Sequence, residues 1–398
     1  MPDYVALDLH RDYVHVCRLV PHPKGAQMRH SQFPNTLPGW QRFIDENAHP
    51  QMRVAFEVTG NAFEAHDLLS PHVGEVLVTK AEAARAKGTG RKTDRADTER
   101  LVVGLAQGTL PAVWVPPVQV RHLRDLLSAR EGALKHQKAL GNRIRALFRR
   151  AMMPIPVGCD VHAWLTKNPD ALKQLNPIHQ KIALSHWRRY QAVGDEVEAL
   201  TAEIASAVQE NPMCRQLLTI PGVSLLTAAH IYAYLGDPAR FPSAKQVSRY
   251  AGLDPSVHAS GERHYTGAIS KHGCRRLRAV LVEAAHVVVR SDRGPLGQFF
   301  QRLRARKGYA KSIVALARKL VVVAWKIMLT GEAYRGEREE STQRKVRRIA
   351  RTAEKVRDWD ALFRTLVSRP DTQGAPAVSD PDQGADQDRP REKVPIPA

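Results

Sequence analysis

The sequence predicts an α/β domain at the N-terminus and a mostly helical remainder. Three observations predict it. Short apolar runs of period two recur up to residue 78 and alternate with helical patterns after the third run. From Val118 onward, long patterns of helical period replace them. Between the two lies Gly88-Thr89-Gly90-Arg91-Lys92-Thr93-Asp94-Arg95-Ala96-Asp97, where glycines break the preceding segment and Thr93 or Asp94 caps a new helix.

Taken in order, residues 4–9 read as a strand carrying the acid Asp8, and His10-Arg11-Asp12 as a turn. Residues 13–20 alternate like a returning hairpin strand, and residues 27–33 form a third strand. A helix over 37–47, a short apolar strand over 53–58 containing Glu57, a helix over 62–69 and a strand over 73–78 follow. The helix opening at Asp94 carries Leu101, Val102 and Leu105 at helical spacing. Three strands, helix, strand, helix, strand, helix is the order of the ribonuclease-H-like fold. In that fold, acids from the first strand, the fourth strand and the last helix meet at one end of the sheet.

Asp8, Glu57, Asp94 and Asp97 occupy those places. Asp94 and Asp97 are three residues apart and share a helix face. Each acid has a plainer reading: a turn residue for Asp8, a solvent-facing edge for Glu57, a capped helix start for the other two. Apolar strands rarely bury an uncompensated carboxylate, and hard divalent cations such as Mg2+ take oxygen ligands. The four together therefore predict a metal site, with two Mg2+ ions that Mn2+ can replace.

Residues 111–117 are a proline-marked boundary. The helical pattern over 118–153 carries Arg121, Arg124, Arg130, Lys135, Lys138, Arg143, Arg145, Arg149 and Arg150 against Asp125 and Glu131. An imperfect apolar stripe (Val120, Leu123, Leu127, Leu134, Leu140, Ile144, Leu147) runs along it. A segment over 154–177 reads as irregular and a second helix spans 178–210, which together predict an antiparallel coiled-coil arm. The sign bias argues for phosphate contact, with a solvated face or a dimer contact as alternatives.

Ile220-Pro221-Gly222-Val223 reads as the turn of a helix-hairpin-helix, in which Gly222 lets backbone N–H groups approach a phosphate. An ordinary tight turn is the alternative. A helix runs to Tyr250-Ala251-Gly252-Leu253. Ser260 then lies in a Ser-Gly loop beside a cationic field that includes Arg263, Lys271, Arg275 and Arg276. A loop serine is ordinarily inert and needs a base or a metal to attack.

The formal net charge of +20 over 398 residues implies a polyanionic partner. An aromatic content of 6% disfavours a protein that mainly stacks single-stranded bases. Cys17, Cys159, Cys214 and Cys274 are scattered without a C-x-x-C pair, so neither a zinc site nor a disulfide framework is indicated, which suits a reducing cytoplasm. The apolar stretch 313–329 contains Arg318, Lys319 and Lys326 and reads as a buried helix, so no membrane partner is expected. Residues from about 370 read as a disordered tail.

Lys92-Thr93-Asp94-Arg95-Ala96-Asp97, the Ile-Pro-Gly-Val turn, and Tyr-Ala-Gly-Leu-x-Pro followed by Ser-Gly and Ile-Ser-Lys-x-Gly together resemble the DEDD-type insertion-sequence transposases, the bridge-RNA-guided recombinases that include the Piv invertase. The resemblance covers roughly residues 1 to 335. It implies a RuvC-like domain over 1–112 with Asp8, Glu57, Asp94 and Asp97 as catalytic metal ligands, a coiled-coil arm over 118–212, and a transposase domain over 213–335 whose nucleophile is Ser260, or alternatively Ser270. A charged helical segment over 336–369 and the tail over 370–398 complete the expected organisation. The resemblance further implies donor and target DNA, a noncoding guide RNA and a homo-oligomer, dimer or tetramer. Expected nucleic-acid contacts are Arg121, Arg124, Lys138, Arg143, Arg145, Arg149, Arg150, Gly222, Arg263, Lys271, Arg275 and Arg276. A metal-dependent junction nuclease using water and a non-catalytic nucleic-acid binder are the competing readings.

Overall fold

A computed structural model describes residues 2–23, 25–80, 94–260 and 263–356. The N-terminal part contains β1 (Asp3–Leu9), β2 (Tyr13–His22), β3 (Gly25–Pro34), α1 (Leu37–Asn47), β4 (Met52–Glu57), α2 (Ala62–Leu69), β5 (Glu75–Thr79) and α3 (Asp94–Ala106). The five strands form one sheet in the order β3-β2-β1-β4-β5. β1 runs antiparallel to β2 and parallel to β4, and β5 is parallel to β4. Element order and strand order are consistent with the ribonuclease-H-like expectation.

Strand parity decides what each sheet face holds. Val5, Leu7, Val54 and Phe56 point to one face and are buried with Trp40, Phe43 and Ile44 of α1 and Ala65 and Leu69 of α2. Ala6 and Cys17 point to the other face and pack on Leu101 and Val102 of α3. Alanine at position 6, with no longer side chain, leaves room for α3 to lie close to the strands. Asp8 and Glu57 have the parity of Ala6 and Ala55, so the same alternation that builds the core puts both acids on the α3 face.

The remainder is mostly helical. α4 (Val118–Arg150) and α6 (Pro177–Glu210) pair antiparallel. Arg130 donates to Thr201 Oγ1 at 2.7 Å near the base, and Gln137 donates to the Tyr190 carbonyl further out. The segment between them is not irregular as expected. It holds α5 (Val161–Lys167) and a 3-10 helix over Pro169–Gln174. Asp160 caps α5 by accepting from Ala163 N–H, and Val161, Leu165, Leu172 and Leu175 bury against Ile144 and Phe148 in a small core at the arm's end. Helices this short show no full apolar period, which hid them from the sequence pattern.

Beyond the arm come α7 (Pro212–Leu217), α8 (Leu225–Leu235), α9 (Ala244–Tyr250), β6 (Pro255–Ser260), β7 (Arg263–Ile269), α10 (Arg275–Ser291), α11 (Pro295–Lys307), α12 (Tyr309–Thr330) and α13 (Glu339–Ala353). One core joins the base of the arm to these helices through Leu123, Leu127, Ile204, Leu217, Leu281, Phe300 and Leu320. α12 spans the apolar stretch read as a buried helix, and among the described residues no helix is long and apolar enough to cross a membrane. Residues 357–369 of the charged segment and the tail over 370–398 lie outside the described residues.

Candidate active site

The acids gather where parity and helix direction bring them. Leu7 of β1 pairs with Phe56 of β4, so Asp8 and Glu57, one residue further along parallel neighbours, end side by side. α3 begins with Asp94 and has Asp97 in its first turn. Thr98, fully buried, anchors this turn by donating to the carbonyls of Asp94 and Arg95.

His10 of the β1–β2 turn and Tyr13 of β2 complete the cluster. His10 Nε2 lies 3.1 Å from Asp8 Oδ2 and 3.1 Å from Asp94 Oδ2. Tyr13 donates its hydroxyl to Asp94 Oδ2 at 3.0 Å and stacks on the His10 ring at a centroid distance of 4.6 Å. Asp97 pairs with Arg100 at 3.3 Å. Burial raises the Asp8 pKa, His10 opposes the rise, and the charges of Asp94 and Asp97 add to it. A carboxylate held charged against burial and two like neighbours is a site that a cation would stabilise. The donor set therefore fits a divalent metal. Ligand atoms of Asp8, His10 and Asp94 lie within 4.8 Å of one another.

A second polar chain borders the cluster on the same face. His15, opposite Asp8 in the β1–β2 register, contacts His30 at 3.1 Å, His30 contacts Glu99 of α3 at 3.1 Å, and Arg95 donates to Glu99 at 3.0 Å. Histidines on alternate strand positions opposite an acid were the available signal for this chain.

The serines sit elsewhere. Ser260 is not in a loop: it ends β6 and pairs in register with Arg263 of β7. Pro255 and scattered Ser and Gly obscured the period-two pattern of this hairpin. Ser270 donates its hydroxyl to Asp254 Oδ1 at 2.6 Å and its N–H to the Asp254 carbonyl at 2.8 Å, which ties off the hairpin's base. The motif residues around it lock together. Gly252 has φ +63°, and a Cβ on Gly273 would lie 2.3 Å from the Tyr250 carbonyl oxygen. β6 and β7 pack mainly on each other, and Ile269 of β7 rests on the helical core.

The expected basic contacts divide into two groups. Arg121 is ion-paired with Asp67 and, at 3.7 Å, with Glu64 of α2, so it fastens the arm to the sheet domain. Arg124 donates to the Ala233 carbonyl at 2.7 Å and lies over the Trp114 and Tyr234 rings. Arg276 reaches Glu131 at 3.0 Å, Tyr234 at 2.9 Å and Ser128 at 3.0 Å. Arg145 donates to the carbonyls of Pro156 and Cys159. These four guanidinium groups already have partners within the chain. Lys138, Arg143, Arg149, Arg150, Lys271 and Arg275 are exposed, and no ion pair joins them to a carboxylate among the described residues.

Gly222 has φ +78°, and Val223 N–H donates to the Ile220 carbonyl, the pattern of a type II turn. A Cβ there would lie 2.6 Å from the Ala284 carbonyl oxygen, so close packing on α10 accounts for the glycine. Lys345 of α13 donates to the carbonyls of Leu218 and Ile220 at 2.6 and 3.0 Å, so an internal ammonium group covers the carbonyl side of the turn.

Two family models match the chain: a DEDD-type IS110 transposase model over residues 5–153 and the transposase IS116/IS110/IS902 family over residues 214–301. The pilin gene-inverting protein of Moraxella lacunata is 36% identical over 290 residues, covering 70% of this chain and 80% of the relative. The transposase of insertion sequence element IS1111A from Coxiella burnetii is 28% identical over 259 residues, 61% of this chain and 68% of the relative. A transposase for element IS1328 of Yersinia enterocolitica is 22% identical, covering 72% of this chain and 86% of the relative. The first model takes in every acid of the β1–β4–α3 cluster, and the second takes in the β6–β7 hairpin with Ser260. The chain belongs to the DEDD-type transposases of the IS110 family, enzymes of DNA transposition and recombination.

Proposed function

We propose that the protein cuts and rejoins DNA strands at insertion-sequence ends, with Asp8, Glu57, Asp94 and Asp97 holding two divalent metal ions and Ser260 as the nucleophile. The observation that carries the reading is the convergence of Asp8 and Asp94 from separate elements onto one point, with Glu57 and Asp97 beside them on the same face. Mg2+, or Mn2+ in its place, supplies charge stabilisation for the attacking and leaving oxygens of the phosphate.

The chain's residues supply the rest. The acids orient the metal-binding oxygens, with Tyr13 fixing Asp94. Ser260 Oγ forms a bond to phosphorus as the bridging P–O bond to the deoxyribose oxygen breaks, and that oxygen leaves with a proton. The phosphodiester is conserved as a phosphoserine link, so the reverse attack by a new strand's hydroxyl restores DNA and serine without ATP. The reaction requires the hairpin and the acids to meet at one phosphate, in the same chain or across a second copy. Lys138, Arg143, Arg149, Arg150, Arg263, Lys271 and Arg275 contribute to an electrostatic surface for donor and target DNA and a noncoding guide RNA. The helical arm acts as a coiled coil in a dimer or tetramer.

Incubation with a cognate junction and Mg2+, followed by denaturing electrophoresis, tests the reading. A protein–DNA adduct supports it. Free nicked ends support a water-using nuclease instead, and an unchanged substrate supports a non-catalytic binder.

A further inference from the structure

His10 stands out because its contacts are close but misaligned. Its Nε2 is buried and lies 3.1 Å from a carboxylate oxygen on each of two residues, with no well-aligned hydrogen bond to either. A hydrogen bond needs the N–H aimed at one oxygen. Here the nitrogen is within reach of both Asp8 and Asp94 and aligned with neither. Metal coordination asks for something different, namely that nitrogen and oxygens face one common point. In an octahedron with bonds of about 2.1 Å, adjacent ligand atoms sit about 3 Å apart. The two 3.1 Å separations match such edges.

The surroundings hold the ring in that pose. Tyr13 stacks on His10 with an interplanar angle of 29° while its hydroxyl holds Asp94. The main chain is fixed as well: His10 N–H donates to the Tyr13 carbonyl, and Asn35 donates to the His10 carbonyl at 2.6 Å. One aromatic residue thus orients both the imidazole and a carboxylate, the arrangement by which outer-shell groups tune a metal.

We infer that His10 is a nitrogen ligand of the metal shared by Asp8 and Asp94, so that this site prefers Mn2+ to Mg2+. The inference rests on the metal reading proposed above and adds a residue to it. Mg2+ favours oxygen donors, whereas an imidazole in the set raises the relative affinity for transition-series ions. Binding uses the neutral ring with its proton on Nδ1.

The test uses the full-length protein without DNA. Mn2+ is bound and the pulsed electron paramagnetic resonance spectrum is searched for coupling to a directly bound 14N. Calorimetric titrations with Mn2+ and Mg2+ are run on wild type, His10→Gln and Asp8→Asn, each checked for folding by circular dichroism. The expected results are a 14N coupling in wild type that His10→Gln removes, and a loss of Mn2+ affinity of about tenfold or more, since even outer-shell changes cost that much. Mg2+ affinity should fall by less. Mn2+ binding without 14N coupling, or coupling that survives in His10→Gln, overturns the inference and leaves the acid site standing. If Asp8→Asn binds Mn2+ like wild type, the metal reading itself fails. The wild-type spectrum needs no variant, so a misfolded His10→Gln does not remove the test.

Discussion

The outer half of α4 presents Arg143, Arg149 and Arg150 to solvent, while Arg145 on the same stretch is tied to the carbonyls of Pro156 and Cys159. Replacing the three exposed arginines with Gln removes at most three phosphate contacts. At about 0.9 per contact on duplex DNA, the slope of log affinity against log salt should flatten by up to about 2.7. The variant's affinity would then fall about 40-fold less than that of wild type between 50 and 200 mM salt. Fluorescence anisotropy of a labelled duplex across a KCl series reads this directly. Arg121→Gln and Arg124→Gln serve as controls, because their guanidinium groups already have internal partners. Those controls should leave the slope unchanged while lowering stability. An unchanged slope in the triple variant, or a flattened slope in the controls, would refute this division of the basic residues.

Arg124→Met removes a charged hydrogen bond to Ala233 and two ring contacts, and should cost about 2 kcal/mol or more in urea unfolding. Asp8→Asn relieves burial and like-charge cost, so the metal-free protein should melt higher while strand cleavage is lost; a lower melting temperature would show that His10 already compensates the charge. Burial pulls Lys345 down to about 8, below the ordinary amine value of 10.5. Between those values the unfolded chain holds a proton that the folded chain has released, so rising pH favours folding. The melting-temperature difference between wild type and Lys345→Met should therefore move toward wild type from pH 8 to 10, and a flat difference would count against it. Ser270→Ala loses its bond to a charged acceptor and should cost about 1.5–3 kcal/mol without abolishing the DNA adduct.

Period-two alternation made β1 and β4 readable, and the same parity carried Asp8 and Glu57 to the α3 face. Helix spacing did the same for Asp94 and Asp97. His10 and Tyr13 escaped because their role depends on how the β1–β2 connection folds back over the start of α3, a long-range placement with no local pattern. The basic residues of α4 looked alike in sequence. Their separation into internal and exposed groups depends on which side faces α2, α8 and α10, and partners such as Asp67, Ala233 and Glu131 are not deducible from spacing. Pro255 and the Ser and Gly residues around it hide the β6–β7 hairpin, so the sequence around Ser260 looks like a loop although Ser260 ends a strand.

A serine on this hairpin attacking DNA held by the acid cluster leaves a covalent mark, which mass spectrometry of the protein–DNA adduct trapped from a cognate junction with divalent metal reads. The expected result is a nucleotide-linked peptide whose modified residue is Ser260, and no adduct from Ser260→Ala or Asp8→Asn. A linked peptide carrying Ser270, or junction cleavage by Ser260→Ala at close to the wild-type rate, would contradict it.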